Sequence, residues 1–160
     1  MRTEELLARI ERLEIALALL IKAGEAKKEV RANQFTLIDE NGNVRGMFTV
    51  TEDGPSLYVI DENGNVRGSF TATNDGASLD LWDEGWKLRG SFDVRKDGTN
   101  LELRDKNGNV RGSFDARKNG AKLELWDEND DIRGFFDATK DATQITLWDE
   151  NGECVFSAPS

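Results

Sequence analysis

The strongest constraint on the fold is a tandem repeat of 22 residues that begins near Asn33 and runs to the end of the chain without an insertion. An Arg-Gly pair recurs at this step from Arg45 to Arg133, and an aspartate recurs at the same step from Asp39 to Asp149. A repeat of constant length indicates that every copy folds in the same way. One copy reads approximately L-x-L-x-D-E-N-G-N-V-R-G-S-F-x-A-x-x-D-G-x-x.

Each copy carries two turn signals, as at Asn41-Gly42 and Asp53-Gly54 in the first copy. Such pairs between alternating segments are typical of two-residue hairpin loops of type I′, which need positive φ at both central residues. We therefore predict two hairpins in every copy. A three-residue loop with glycine in a G1 bulge is the second interpretation of the first signal, because it would place Leu37 opposite Arg45 and mix the faces.

The predicted loops divide the side chains between two faces of a sheet. Phe35 falls opposite Phe48, Phe48 falls opposite Val59, and Ile38 falls opposite Arg45. One face is then apolar, with Val66 among its members, and the other is largely polar. The core residues predicted on the apolar face are Leu37, Phe48, Leu57, Phe70, Leu81, Phe92, Leu103, Phe114, Leu125 and Phe136. The fold class is therefore mainly β, an antiparallel meander of about 12 strands over residues 31–160.

Residues 1–30 form a second predicted unit, a helix that drives oligomerisation as a coiled coil. Apolar residues follow a 4-3-4-3 spacing that is typical of an a/d seam. The seam residues are Leu6, Ile10, Leu13, Leu17 and Leu20. Further apolar residues at Leu7, Ala16 and Ile21 widen the stripe, which favours three or more helices. The alternative is a single amphipathic helix that packs on its own sheet.

One helix cannot cover the apolar face, since it spans roughly 30 Å while 12 strands span about 55 Å. Three arrangements can cover it: a sheet closed into a monomeric barrel, two stacked sheets in a dimer, or three sheets in a trimeric prism or shaft. We favour a homotrimer, because strands of the expected length enclose a tube narrow enough for leucine and phenylalanine side chains to fill. The glycines of the Arg-Gly pairs leave room there for a facing side chain or a neighbouring backbone.

The repeat L-x-L-x-D-E-N-G-N-V-R-G resembles tandem repeats in uncharacterised bacterial proteins with a short N-terminal coiled coil, and the resemblance covers residues 33 to about 156. The general plan also resembles the shafts of phage tail fibres and trimeric surface fibres. This second resemblance rests on architecture. It implies a structural, fibre-forming or spacer protein without an active site.

Composition disfavours several other classes of function. With 21 Lys+Arg against 31 Asp+Glu, the net charge of -10 disfavours nucleic acid and anionic membranes as partners. The chain has no histidine, which removes histidine-based catalysis and histidine-ligated metals. We expect no enzymatic activity, no cofactor and no metal. The N-terminus lacks the pattern of a signal peptide and no apolar run is long enough to span a membrane, so we expect a cytoplasmic protein or part of an assembled particle.

A row of aromatic and basic residues on the polar face is a candidate ligand surface. The predicted loops place Trp82 opposite Arg89 and Trp126 opposite Arg133, with Trp148 in the same row, and such pairs predict cation–π contacts. We interpret this row as structural. The alternative function is a carbohydrate- or protein-binding module that uses these five residues.

The Asp-Glu-Asn-Gly-Asn loops share features with calcium loops. Asp39, Asn41 and Asn43 match the first three oxygen-ligand positions of such a loop. Val50 stands at the twelfth position, where calcium requires a bidentate acid. We therefore interpret these segments as hairpin turns.

Overall fold

The computed structural model describes residues 7, 9–18, 30–141 and 143–159. The chain divides into two units, Met1–Ala32 and Asn33–Ser160. In the first unit residues 7 and 9–18 are helical, and the side chains of the predicted seam residues Ile10, Leu13 and Leu17 are exposed. The other two, Leu6 and Leu20, lie outside the described residues. The coiled coil therefore stays a prediction. Within the described part of the chain, no helix has the length and apolar character needed to cross a membrane.

The second unit is a single antiparallel sheet of 12 strands in sequence order, which confirms the predicted meander. In the part of the chain that the structure describes, the two outermost strands are not paired with each other, so the sheet is open. The monomeric barrel is therefore the wrong alternative. The strands are β1 (Gln34–Ile38), β2 (Val44–Val50), β3 (Pro55–Ile60), β4 (Val66–Thr73), β5 (Gly76–Trp82), β6 (Leu88–Arg95), β7 (Gly98–Arg104), β8 (Val110–Arg117), β9 (Gly120–Trp126), β10 (Ile132–Thr139), β11 (Thr143–Trp148) and β12 (Cys154–Pro159).

The first loop of each copy is longer than predicted. The Asp39 N–H donates to the Asn43 carbonyl at 2.9 Å, and the Gly42 N–H donates to the Asp39 carbonyl at 3.0 Å. Three residues therefore form the loop, and Gly42 adopts a left-handed conformation with φ of 84°. The two-residue loop predicted here is wrong, and the three-residue loop with a G1-type glycine is correct.

A bulge directly after the loop compensates for the extra loop residue. Ile38 pairs with Val44 and Leu37 pairs with Gly46, so that Arg45 is an additional residue on its strand. The same register shift follows the first loop of every later copy. The two irregularities cancel, which is why the apolar face forms as predicted although the loop differs. The prediction that Ile38 lies opposite Arg45 is wrong for the same reason.

In the first four copies the second loop has two residues but begins one residue earlier than predicted. Thr51 and Gly54 exchange backbone hydrogen bonds of 2.9 and 3.2 Å, so the loop consists of the two residues between them. Neither of these has a positive φ, and the turn is therefore not type I′. Phe48 consequently pairs with Leu57, where the prediction placed Val59. A displacement of two residues preserves the faces, because side chains alternate with a period of two.

Glycines at the two loops are required for different physical reasons. Gly64, in a first loop, has φ of 82°, and a Cβ there would meet no atom within 4 Å. Gly76, just after a second loop, has φ of 153°, and a Cβ there would lie 1.8 Å from the Val94 carbonyl oxygen. Gly64 is therefore required only for its left-handed conformation. Gly76 is also required because the backbone of the neighbouring strand lies where a Cβ would be.

This contrast predicts unequal costs for two glycine substitutions. We expect Gly64→Ala to lower the free energy of unfolding by about 1–2 kcal/mol, the cost of a left-handed L-residue. We expect Gly76→Ala to lower it by about 3 kcal/mol or more, because the strained φ and the displaced strand add together. Urea denaturation of both variants measures the difference. Equal costs, or the reverse order, would contradict the observed position of the second loop.

Candidate functional site

Within the described residues of the unit Asn33–Ser160, no second layer covers the apolar face of the sheet. Phe48 is 50% exposed and Leu37 is 67% exposed, and among the described residues no hydrophobic side chain is buried. The polar face, in contrast, contains the buried side chains. These are Ser56, Ser69, Ser91, Asp137 and Thr146. The apolar face is thus the part of the sheet that is free to contact another surface.

Two rows of residues run across this face. The first row alternates mainly phenylalanine with leucine: Phe35, Phe48, Leu57, Phe70, Leu79, Phe92, Leu101, Phe114, Leu123, Phe136 and Ile145. The second row alternates leucine or valine with glycine: Leu37, Gly46, Val59, Gly68, Leu81, Gly90, Leu103, Gly112, Leu125, Gly134 and Leu147. The ten residues predicted as core lie in these two rows, and they form a core only where another surface covers them.

Three leucines of the first row, Leu79, Leu101 and Leu123, were not among the predicted core residues. The predicted second loop placed Phe70 opposite Leu81, whereas the structure pairs Phe70 with Leu79. The error in the loop therefore left out one of the two leucines that each of these strands places on the apolar face. The alternation of apolar residues along the strand was the signal that would have included both.

An aspartate closes the first loop of each copy. The Oδ1 atom of Asp39 accepts hydrogen bonds of 2.9 Å from the backbone N–H groups of Asn41 and Asn43. Its Oδ2 atom accepts from the Asn43 amide at 3.1 Å and from Nε and Nη2 of Arg45 at 2.9 and 2.5 Å. One carboxylate thus joins the loop to the bulge that follows it.

The bulge arginine also binds the next copy. Nη1 of Arg45 donates to the backbone carbonyl of Asp61 at 2.6 Å. Corresponding bonds join Arg67 to Asp83, Arg111 to Asp127 and Arg133 to Asp149. Arg89 instead donates to the carbonyl of Arg104 at 3.0 Å, and its Nη1 contacts the Asp83 carboxylate at 3.2 Å. We call these contacts the arginine latch, whose residues are Arg45, Arg67, Arg89, Arg111 and Arg133.

The geometry of the latch explains the residue type. A guanidinium has five donors in a planar fork, so one side of it can bind its own loop carboxylate while another donor reaches the next hairpin. A lysine has the same charge but no such fork. The bulge supplies the second requirement, because it adds the arginine to the strand without displacing the apolar residues on either side.

Hydrogen bonds to the loop carboxylates stabilise their charged form. The backbone N–H of Asn43, the Asn43 amide and Arg45 lower the pKa of Asp39 from 3.8 to about 2. The pKa of Asp61 falls to about 2 in the same way, chiefly through the backbone N–H of Asn65. At Asp105 burial acts to raise the pKa, but the bonds from Arg111 and the loop N–H groups outweigh it and the pKa is lowered.

The same bonds explain why the loops differ from calcium sites. The two carboxylate oxygens of Asp39 already accept hydrogen bonds from the loop and from Arg45. Among the described residues no group of three or more Cys, Asp or Glu side chains is arranged to hold a metal ion. The Asp39 carboxylate therefore acts in the turn itself.

The bulge changes which residues share the row that contains the tryptophans. Each cross-strand pair in this row joins the residue before the loop aspartate to the residue before the bulge residue. The pairs are Ile38–Val44, Ile60–Val66, Trp82–Leu88, Arg104–Val110, Trp126–Ile132 and Trp148–Cys154. Val66 consequently lies on the polar face, and its predicted place on the apolar face is wrong.

The predicted Trp–Arg pairs are not formed. Arg89 and Arg133 are bulge residues bound to the loop carboxylates of Asp83 and Asp127. Within the described residues, the cation–π contact is that of Lys122 with the Phe135 ring, at 5.8 Å from the centroid. The arginines of the proposed ligand face therefore have structural partners, and the tryptophans pair across the strands with aliphatic residues and Cys154.

Comparison with protein-family models finds no match, and a search of curated proteins finds none either. The meander with regular hairpins and a single N-terminal helix is compatible with a β-repeat protein. The resemblance to bacterial repeat proteins and to fibre shafts therefore stays an expectation, which rests on the repeat and the architecture.

The lowered aspartate pKa values predict a loss of stability in acid. A carboxylate with a pKa of about 2 in the folded state and 3.8 in the unfolded state stabilises the fold fully above pH 4, and this contribution disappears as the pH falls toward 2. We expect the free energy of unfolding, measured in urea, to decrease across this interval. Asp61→Asn should reduce the slope. An unchanged slope for Asp61→Asn would contradict this role of the carboxylate.

Proposed function

We propose that the protein is a structural shaft or spacer element that self-assembles through the apolar face of its sheet as a homo-oligomer, with a homotrimer favoured, and that it has no catalytic role. The observation that supports this proposal is the exposure of two continuous apolar rows across a 12-stranded sheet. Soluble monomers rarely expose apolar patches of more than a few hundred Å², so a face of this extent indicates an interaction surface.

A second copy of the chain is the partner that fits this face best. The two rows contain no charged residue, whereas the chain as a whole carries a net charge of -10. Association through the apolar faces keeps the like charges of two copies on their outer surfaces, while association through the polar faces would bring them together. The exposed helix residues Ile10, Leu13 and Leu17 provide a second surface of the same kind.

Strand length favours three copies over two. The strands β4, β6, β8 and β10 have 8 residues each. Three such strands, each about 27 Å long, enclose a triangle whose walls lie about 8 Å from its axis. Phenylalanine and leucine side chains fill this distance, because packed sheets lie about 10 Å apart. The a/d spacing of the helix with its widened stripe is consistent with the same number.

The proposal predicts a mass of about three times 17.9 kDa in light scattering at micromolar concentration. Phe92→Asp should shift the mass toward that of a single chain, because a charge in the covered row cannot be solvated. Trp86→Asp is the matched control, since Trp86 is an exposed loop residue with a φ of 61° that aspartate tolerates. We expect this control to keep the oligomer intact. A wild-type protein with the mass of a single chain would contradict the proposal.

Covering the face should also change the cost of removing a side chain from it. In the single chain Phe92 is 42% exposed, so Phe92→Ala removes only part of its burial. In a covered core the same substitution lowers the free energy of unfolding by roughly 3–5 kcal/mol per chain. We expect the larger value, measured by denaturation at a concentration where the wild type is fully associated. A cost near ~1 kcal/mol would indicate that the phenylalanine row stays in water.

A second candidate function is a carbohydrate- or protein-binding module on the polar face. Trp126 lines a shallow depression whose other members are Arg104, Gly108, Asn109, Val110 and Asp130. An aromatic side chain beside hydrogen-bonding groups suits a sugar ring. For this function we expect Trp126→Ala to abolish binding on a glycan array while the fold is retained, and Trp86→Ala to leave binding unchanged. Absence of wild-type binding would remove this candidate.

A further inference from the structure

The last copy departs from the repeat at three positions of β12. Val155 stands where the other copies carry the latch arginine, Phe156 stands where they carry glycine, and Ala158 stands where they carry phenylalanine. The strand pairing is nevertheless the same as in the other copies, since Leu147 pairs with Phe156 and Ile145 pairs with Ala158. The change is therefore in side chains and not in register.

The first departure interrupts the arginine latch. Val155 has no side-chain donor for the Asp149 carboxylate, which keeps the two loop hydrogen bonds of 2.9 Å from the backbone N–H groups of Asn151 and Glu153. At the opposite edge of the sheet, the backbone carbonyl of Asp39 accepts a bond of 3.0 Å from Gly42. The Asp39 carbonyl thus corresponds to the carbonyl of Asp61, which accepts a hydrogen bond from Arg45. An arginine for the Asp39 carbonyl would have to come from a copy that lies next to β1.

The second departure puts a bulky side chain where an added strand would meet glycine. In the interior of the sheet the leucines lie over the glycines of neighbouring strands: a Cβ on Gly134 would lie 3.3 Å from Cδ1 of Leu125. If β1 of another chain paired against β12 in the interior register, its Leu37 would lie opposite position 156. There Leu37 would meet a phenylalanine that already pairs with Leu147, where the interior copies have only hydrogen.

Pro159 adds a third feature at the same edge. It lies in β12, and proline has no N–H with which to extend a strand ladder. Proline and irregular side chains at an edge strand are devices by which proteins avoid pairing with further chains. The features of β12 therefore act in the same direction.

We propose that β12 is a terminating strand: its loss of the latch arginine and its Phe156 prevent β1 of a second copy from pairing against it, so copies cannot join end to end through their sheet edges. The excluded partner is a second copy of this chain whose β1 would pair with β12 in the same register that the interior strands use. This inference does not depend on association through the apolar faces, because the edge and the face are different surfaces of the sheet.

The test restores the repeat in the full chain with the triple variant Val155→Arg, Phe156→Gly and Ala158→Phe. The introduced arginine can then bind Asp149 of its own loop and Asp39 of a second copy, as Arg45 binds Asp39 and Asp61. We expect the weight-average mass from sedimentation to reach a plateau for the wild type, and to rise to at least double that plateau for the triple variant as concentration increases. Electron microscopy should show elongated particles for the variant only.

Two single variants make the result independent of how the triple variant folds. Val155→Arg restores only the latch and should elongate partially, whereas Val155→Lys adds the same charge without the fork and should behave as the wild type. Equal elongation of these two would overturn the role of the latch. A wild type that elongates without limit, or a folded triple variant that keeps the wild-type mass, would overturn the terminating strand. A monomeric wild type with an elongating variant would contradict only face-to-face assembly.

Discussion

The hydrogen-bonded unit of a loop aspartate and a bulge arginine is the interaction on which the sheet depends. The Asp39 carboxylate orders its own loop through two backbone N–H groups, and Arg45 extends that order to the carbonyl of Asp61 in the next hairpin. Because hydrogen bonds to charged groups are stronger than neutral ones, each hairpin is tied to the next by more than its strand ladder. The first loops of successive copies are thereby connected to one another by side-chain hydrogen bonds.

The latch imposes its own geometry on the backbone. The arginine must leave the strand beside the loop carboxylate, and the bulge provides that position at the cost of one unmatched residue. The three-residue loop adds the residue that restores the register. The extra loop residue and the extra bulge residue therefore compensate for each other. Together they leave the alternation of side chains along the two strands unchanged. This is why the faces followed from the pattern while the partners of Ile38 and Val66 did not.

The apolar side chains of the sheet lie on one of its two faces. Interior strands present phenylalanine and leucine to that side, and the polar side buries serine, threonine and aspartate instead. A single layer of sheet cannot bury its own apolar face, so the stability of such a chain depends on what covers that face. The departures at Val155 and Phe156 concern a different surface, the edge of the ladder. We therefore propose that the face and the edge control two separate modes of association.

Strand number, meander topology and the division into an apolar and a polar face were readable from the sequence, because side-chain alternation and repeat length depend only on local spacing. The amphipathic N-terminal pattern was readable for the same reason. The tertiary structure decided the loop lengths, the bulge at Arg45 and the choice of Leu79 over Leu81 as the partner of Phe70. Each of these depends on hydrogen bonds between residues of neighbouring hairpins, such as Arg45 with Asp61, and no pattern within a single strand reports them.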